Sequence, residues 1–135
     1  IMGTHGFELD PCKMTVEEKE WAKKQVADYH KYYDLTHYGD LYRLTDPAAD
    51  PFFCDWEMVS RDKGEVLFTR VVMRKPENYY QMRRLRGLDP EKMYRDEESG
   101  RVYSGALLMA AGLDLSQPWP GQEDGSSVTV HLTAE

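Results

Sequence analysis

The feature that most constrains this chain is a change of hydrophobic period at Gly39–Leu44, which reads Gly-Asp-Leu-Tyr-Arg-Leu. Before it, apolar residues recur at spacings of four, three and four, at Ala22, Val26, Tyr29 and Tyr33. That is the period of one face of an α-helix. After it, short alternating segments separated by turn residues continue to the C-terminus. Glycine ends many helices, so the sequence predicts a long helix followed by a mainly β region.

A capping pattern marks the start of that helix. Thr15 and Glu18 have the spacing of a capping box, in which each side chain binds the backbone amide of the other residue. Glu17 and Glu18 also place negative charge at the positive end of the helix dipole. The pattern predicts a helix that runs from Val16 to about Leu35.

The region after Leu44 is typical of antiparallel strands joined by short turns. Cys54–Ser60 and Glu65–Arg74 flank Gly64 and predict a hairpin. Further strands are predicted at Arg83–Leu88, Met93–Glu97, Arg101–Ser104 and Ser127–Thr133, with a short helical turn over Ser104–Gly112. We therefore expect a mainly β fold, an antiparallel β-sandwich preceded by one long helix.

Composition narrows the class of protein. The 135 residues suffice for one domain, or for one small domain that carries a piece of another. The net charge of -7 argues against a nucleic-acid partner held by phosphate contacts. No apolar run approaches the roughly 20 residues that cross a bilayer, and the first residues lack the apolar core of a secretory signal. The chain begins with Ile1 and Met2, which we interpret as the mark of a fragment.

Few residues have the spacing of a catalytic or metal-binding site. Glu8 and Asp10 would share one face of a strand, and carboxylate pairs serve acid/base catalysis, but a strand-end cap or salt bridge is the preferred interpretation. His30 and His37 are too far apart for a metal site on one helix. Cys12 and Cys54 are interpreted as free thiols, although spacing alone leaves a disulfide open. The sequence predicts no catalytic residue and no metal site.

Two residue groups allow a binding hypothesis beside a structural one. The first group consists of helix tyrosines, which we interpret as core or interface residues rather than as a sugar-stacking surface: Tyr29, Tyr32, Tyr33 and Tyr38. The second group is basic and is interpreted as a solvated strand face: Arg74, Lys75, Arg83, Arg84 and Arg86. An anion-binding domain built on the Arg83–Arg86 cluster of this group is the alternative, and it requires polyanion binding that depends steeply on salt.

Seven segments, in order and register along nearly the whole chain, resemble the end of a glycoside hydrolase family 36 α-galactosidase. These segments are Gly3–Asp10, the helix from Thr15 onward, Tyr38–Leu44, Trp56–Ser60, Arg84–Pro90, Tyr103–Gly105 followed by Leu108 and Met109, and Val130–Leu132. The chain departs from the family pattern at His5 and at Pro11-Cys12. Those departures concern the local loop and leave the resemblance intact.

The resemblance implies a division of the chain and an activity. Residues 1–38 would be the last strand, loop and helix of a (β/α)8 barrel, and residues 39–135 a C-terminal antiparallel β-domain. Such enzymes hydrolyse terminal α-galactosyl residues of sugars such as melibiose and raffinose by a retaining mechanism with two aspartates. Both aspartates would lie upstream of this chain, so the fragment alone is expected to be inactive. A supporting role for Gly3–Asp10 near the pocket is a further expectation.

The same resemblance implies partners and location. We expect the catalytic barrel of a parent protein as partner, no cofactor, a cytoplasmic location and a possible homo-oligomer. Without the barrel, the apolar helix face would be exposed and prone to association. The alternative from another class is a stand-alone carbohydrate-binding or interaction module that stacks sugars on Trp56, Trp119 or the tyrosines.

Overall fold

The computed structural model describes residues 6–8, 10–75, 81–116 and 123–135. The chain divides into two compact units, Ile1–Gly39 and Asp40–Glu135. The first unit contains a 3-10 turn, Pro11–Lys13, and two helices, α1 (Val16–Lys31) and α2 (Tyr33–Tyr38). That the first unit is the end of a (β/α)8 barrel stays a prediction.

The predicted capping box begins α1. The Thr15 amide donates to Glu18 Oε2 at 2.8 Å, and the Glu18 amide donates to Thr15 Oγ1 at 3.2 Å. The single helix predicted to Leu35 is interrupted at Tyr32, whose φ of -100° and ψ of 8° separate α1 from α2. Because α2 then continues to Tyr38, helical structure extends three residues beyond the predicted end.

Within the described part of the chain, α1 buries none of its residues. Trp21 is 59% exposed and Val26 is 38% exposed. Phe7 makes an edge contact with Trp21, with ring centroids 6.3 Å apart. Helices in globular proteins normally bury their apolar residues. The exposed apolar residues of α1 are therefore available for packing against another element.

The second unit is built from antiparallel strands, as predicted. Its described elements are β1 (Asp40–Arg43), β2 (Phe53–Val59), β3 (Glu65–Val72), β4 (Met82–Arg83), β5 (Met93–Asp96), β6 (Val102–Ser104), α3 (Gly105–Ala110), β7 (Leu113–Asp114) and β8 (Ser127–Ala134). Six strands form one sheet in the order β1-β2-β3-β8-β5-β6, and β4 pairs with β7. The mainly β class and the β2–β3 hairpin are confirmed.

The apolar core lies between the six-stranded sheet and a smaller second layer. The sheet contributes Val59, Val66, Phe68, Tyr94 and Leu132. The second layer consists of the β4–β7 pair with the residue that follows β7, α3 and the segment 84–88. It contributes Leu85, Leu88, Leu108, Leu113 and Leu115. These two layers make the predicted sandwich, with one large sheet and one small one.

The predicted strand over Arg83–Leu88 was wrong, because only Met82–Arg83 pairs as a strand. The backbone beyond it binds other partners: the Leu85 amide donates to Leu108 O at 3.0 Å, and the Arg86 amide donates to Glu57 Oε1 at 2.6 Å. Gly87 then takes a φ of +68°, which L-residues rarely adopt, directly beneath the Tyr42 ring. The apolar residues that suggested a strand are instead the part of this loop that fills the core.

Gly105 lies where α3 begins and where two backbone segments meet. A Cβ atom at this position would lie 1.9 Å from the carbonyl oxygen of Asp89, a distance that real side chains do not reach. The Ser104 hydroxyl, which accepts from the Leu107 amide at 3.1 Å, fixes the entry into the helix. The close approach of the Asp89 backbone therefore leaves no room for a side chain at Gly105.

We predict that Gly105→Ala lowers the free energy of unfolding by about 3 kcal/mol, the upper part of the range for overpacked cores. Alanine is favoured over glycine by roughly 1 kcal/mol in helix propensity. This gain is smaller than the cost of displacing the Asp89 backbone to make room for the Cβ atom. Urea denaturation followed by circular dichroism measures the change. Gly6→Ala is the matched control, since a Cβ there would have no atom of the described residues within 4 Å beyond its chain neighbours. Equal stability of the two variants would contradict the close approach at Gly105.

Candidate functional site

Of the two carboxylates singled out near the N-terminus, Asp10 caps a turn in the described residues. Glu8 and Asp10 are both exposed. Asp10 Oδ1 accepts from the Cys12 amide at 3.0 Å and so caps the 3-10 turn, and its other oxygen lies 4.0 Å from Lys13 Nζ. Asp10 is therefore a cap, as preferred from the sequence. The neighbouring residues Gly3–His5 and Leu9 lie outside the described residues.

The strongest polar cluster of the second unit is a buried ion pair between β2 and β3. Asp55 faces Arg70 directly in the strand register. Arg70 Nε donates to Asp55 Oδ1 at 2.9 Å, and Arg70 Nη2 donates to Asp55 Oδ2 at 2.7 Å. Both side chains are essentially inaccessible to solvent, with 1% and 0% exposure. This paired, two-pronged geometry is the strongest form of the arginine–carboxylate contact.

Further partners extend the pair into a network. Arg83 Nε donates to Asp55 Oδ2 at 2.5 Å, while Arg83 Nη2 donates to Asp50 Oδ2 at 3.0 Å. Arg70 Nη1 donates to Gln81 Oε1 at 2.6 Å, and its guanidinium carbon lies 4.1 Å from the centre of the Phe53 ring. Buried charged groups need such hydrogen bonds and ion pairs, because removing each charge from water costs several kcal/mol.

The network corrects the interpretation of one member of the basic group. Arg83 is only 21% exposed and its guanidinium contacts two carboxylates, so it does not belong to a solvated face. The other four members, Arg74, Lys75, Arg84 and Arg86, are exposed as expected. An anion site on the basic group would have to form without Arg83, which weakens the anion-binding alternative.

Glu57, two residues after Asp55 on the same face of β2, is completely buried. Burial raises the pKa of its carboxyl to about 8, although the hydrogen bond from the Arg86 amide opposes the change. Its Oε2 has no hydrogen-bond partner among the described residues. Strongly shifted carboxyls often mark active sites, but this one faces the core and cannot reach a substrate.

Other candidate residues are dispersed. The described residues contain no group of three or more histidine, cysteine and acidic side chains that could hold a metal ion. Cys12 and Cys54 are free thiols. Trp56 is half-buried on the face of β2 opposite Asp55, and Trp119 lies outside the described residues. No helix in the part of the chain that the structure describes is long and apolar enough to cross a membrane.

An apolar groove runs along α1 of the first unit. It is formed by the small and apolar residues Phe7, Pro11, Met14, Ala22, Val26 and Ala27, with two lysine side chains at its edge. The groove has a volume of about 530 Å³. The groove includes Ala22 and Val26 of the predicted apolar helix stripe. An exposed apolar surface is typical of a docking face.

Asp55→Asn should lower the free energy of unfolding by about 3 to 5 kcal/mol, because it leaves the buried Arg70 guanidinium without a counter-charge. Chemical denaturation at neutral pH measures this loss. The control is Glu20→Gln, which removes the exposed partner of Lys23 and should change stability very little. If both substitutions had the same small effect, the Asp55–Arg70 pair would not be a stabilising feature of the fold.

Glu57→Gln should remove a pH dependence of stability. The folded state of the natural chain keeps Glu57 protonated, so its contribution to stability is complete below pH 4.5 and is lost as the pH rises through about 8. The glutamine stays neutral throughout, so the stability difference between the two proteins should shift by on the order of 4 kcal/mol between pH 4 and pH 9. Unfolding curves at several pH values measure it, with exposed Glu91→Gln as control. Parallel pH profiles for the natural chain and Glu57→Gln would rule out a buried, protonated Glu57.

Comparison with known proteins identifies the family. Residues 53–132 match the model of the glycosyl hydrolase family 36 C-terminal domain. The chain is 40% identical over 116 residues to the bifunctional alpha-galactosidase/sucrose kinase AgaSK of Mediterraneibacter gnavus, covering 85% of this chain and 12% of that protein. It is also 40% identical over 113 residues to alpha-galactosidase Mel36A of Lactobacillus acidophilus, covering 83% of this chain and 15% of that protein.

Solved structures agree with this match. The galactosidase domain of AgaSK superposes with a TM-score of 0.82 at 36% identity over 96% of this chain, which is 18% of that chain. The GH36 alpha-galactosidase AgaA of Geobacillus stearothermophilus gives a TM-score of 0.81 at 36% identity over 95% of this chain, which is 17% of that chain. The protein thus spans only a small part of its relatives' length. It belongs to glycosyl hydrolase family 36, and its β-sandwich is the C-terminal domain of that family.

Proposed function

We propose that this chain is the non-catalytic C-terminal part of a longer α-galactosidase. The observation that carries the proposal is the extent of the match, which covers 85% of this chain and 12% of AgaSK. A chain that matches so small a share of an alpha-galactosidase, and matches the C-terminal domain model, has the size of an accessory domain. The parent enzyme would hydrolyse terminal α-galactosyl residues of melibiose- and raffinose-type sugars.

The chemistry of the parent would depend on residues outside this chain. Retaining hydrolysis requires two carboxyl groups about 5 Å apart on either side of the scissile bond. In the described residues, Asp55 is held by two guanidinium groups and Glu57 faces the core, so neither can attack or protonate a glycoside. Asp10 is occupied as a cap. The role we propose for this chain is structural.

That role would be to complete the catalytic barrel. The α1 groove, with Ala22 and Val26 along its length, offers the apolar surface that a neighbouring barrel helix would cover. Lys19 and Lys23 border the groove and can place their charged ends in solvent while their aliphatic stems pack. The intact enzyme would be cytoplasmic and would assemble as a homo-oligomer. No cofactor is needed for this reaction.

The proposal predicts that the 135-residue chain has no hydrolytic activity of its own. Purified protein incubated with an aryl α-galactoside should release the aryl group no faster than buffer does. Extending the coding sequence upstream of Ile1 should restore hydrolysis, because the two catalytic aspartates would be supplied there. Circular dichroism serves as the control, because it shows whether the 135-residue chain is folded.

Two results would overturn this assignment. Hydrolysis by the folded 135-residue chain would mean that the chain contains the catalytic carboxylates after all. A start codon directly before Ile1, together with binding of saccharides that is lost on Trp56→Ala, would instead favour a stand-alone carbohydrate-binding module.

A further inference from the structure

A second concave feature lies in the β-sandwich, at the open edge between its two layers. It is a cleft of about 300 Å³ between β5, β6 and β8 of the large sheet and β7 of the small one. Nothing in the ion network or the α1 groove contributes to it. Its volume is at the lower end of the range for small-ligand sites.

The floor of the cleft is apolar and carries one aromatic ring. Leu113 and Leu115 are buried beneath it, with 2% and 4% exposure, and Val128 and Val130 are half-buried along β8. Tyr103 on β6 is half-buried beside them and packs against the core. A ring fixed in this way presents a rigid surface that is apolar across its face and polar at its hydroxyl.

The rim of the cleft is polar and has charges of both signs. Asp114 lies exposed at one side, and its Oδ1 accepts from the Ser116 amide at 2.9 Å, which fixes the carboxylate. Hydrogen bonds from Ser116 hold the pKa of Asp114 below its usual value, and the positive charge of Arg101 adds to this effect. Arg101 is exposed and lines the same cleft as Asp114. Together they offer a fixed acceptor and a fork of donors.

The third polar wall is the tight turn after β5. Asp96 Oδ1 accepts from the Glu98 amide at 3.0 Å, and its other oxygen accepts from the Ser99 hydroxyl. Asp96 is thus committed to the turn and holds Ser99 in place at the cleft. Besides Glu98, the remaining charged groups of the rim are Asp114 and Arg101.

These properties disfavour two classes of ligand and fit a third. Three carboxylates against one guanidinium disfavour an anion, and the described residues provide no cluster that could hold a metal cation. A pyranose sugar has an apolar face of C–H groups and an edge of hydroxyls that both donate and accept. Its apolar face suits the Tyr103 ring and the leucine floor, and its hydroxyls suit the Asp114 and Arg101 rim.

We propose that the cleft lined by Tyr103, Arg101 and Asp114 is a binding site for a neutral saccharide of one or two pyranose rings. The sugar stacks on the Tyr103 ring. One of its hydroxyls donates a hydrogen bond to the Asp114 carboxylate, and another accepts a hydrogen bond from the Arg101 guanidinium. The inference goes beyond the structural role proposed above and does not rest on it, because binding at this cleft requires no hydrolysis.

The test is an amide NMR titration of the folded 135-residue chain with D-galactose and with melibiose. Saturable shifts are expected for the amides of residues 96–103 and 113–116. Asp114→Asn keeps the acceptor for the Ser116 amide but removes the charge, and should weaken binding about tenfold, the effect of one charge-assisted hydrogen bond. Arg101→Gln should weaken it similarly.

Matched variants separate the cleft from general surface effects. Asp46→Asn is the control for Asp114→Asn, because Asp46 is exposed and its Oδ1 likewise accepts from the amide two residues on, that of Ala48, at 2.9 Å. Arg43→Gln on exposed β1 is the control for Arg101→Gln. Both should bind as the natural chain does. The proposal fails if neither sugar gives saturable shifts, if glycerol gives the same shifts, or if Asp46→Asn weakens binding as much as Asp114→Asn.

Discussion

The β-sandwich depends on the buried pair of Asp55 and Arg70. The apolar core cluster occupies one end of the central hairpin, at Val59, Val66 and Phe68, and the ion pair occupies the other end. Through Arg83 the network ties the β4 segment to the large sheet. The two layers are therefore held by apolar contact at one end and by charge at the other. The Asp55–Arg70 pair itself lies within the large sheet, so the contact of Arg83 with Asp55 is a directional link between the two layers.

Local patterns predicted the elements whose causes are local. The capping box at Thr15 and the hairpin around Gly64 depend on residues a few positions apart, and both are present. In the sequence, Asp55 and Glu57 alternate with Cys54, Trp56 and Met58, but alternation alone does not tell which face meets the core. That choice depends on Arg70 and Arg83, which are 15 and 28 residues away from Asp55.

The segment 84–88 shows the same limit. Its apolar residues predicted a strand, yet its backbone amides bind the Glu57 side chain and the Leu108 carbonyl of α3, partners that lie outside a local sequence window. For the function, residue patterns predicted no catalytic residue, and the family came from the resemblance of seven ordered segments. The Tyr103 cleft could not be predicted either, because residues from four strands meet there only after folding.

Glu57 makes folding of this domain a proton-binding reaction. Near neutral pH its carboxyl is ionised in the unfolded chain and protonated in the folded one, so the chain takes up about one proton from the buffer when it folds. The heat measured by calorimetry would then include the ionisation enthalpy of whichever buffer gives up that proton. Folding enthalpies of this domain are comparable only between buffers with matched ionisation heats.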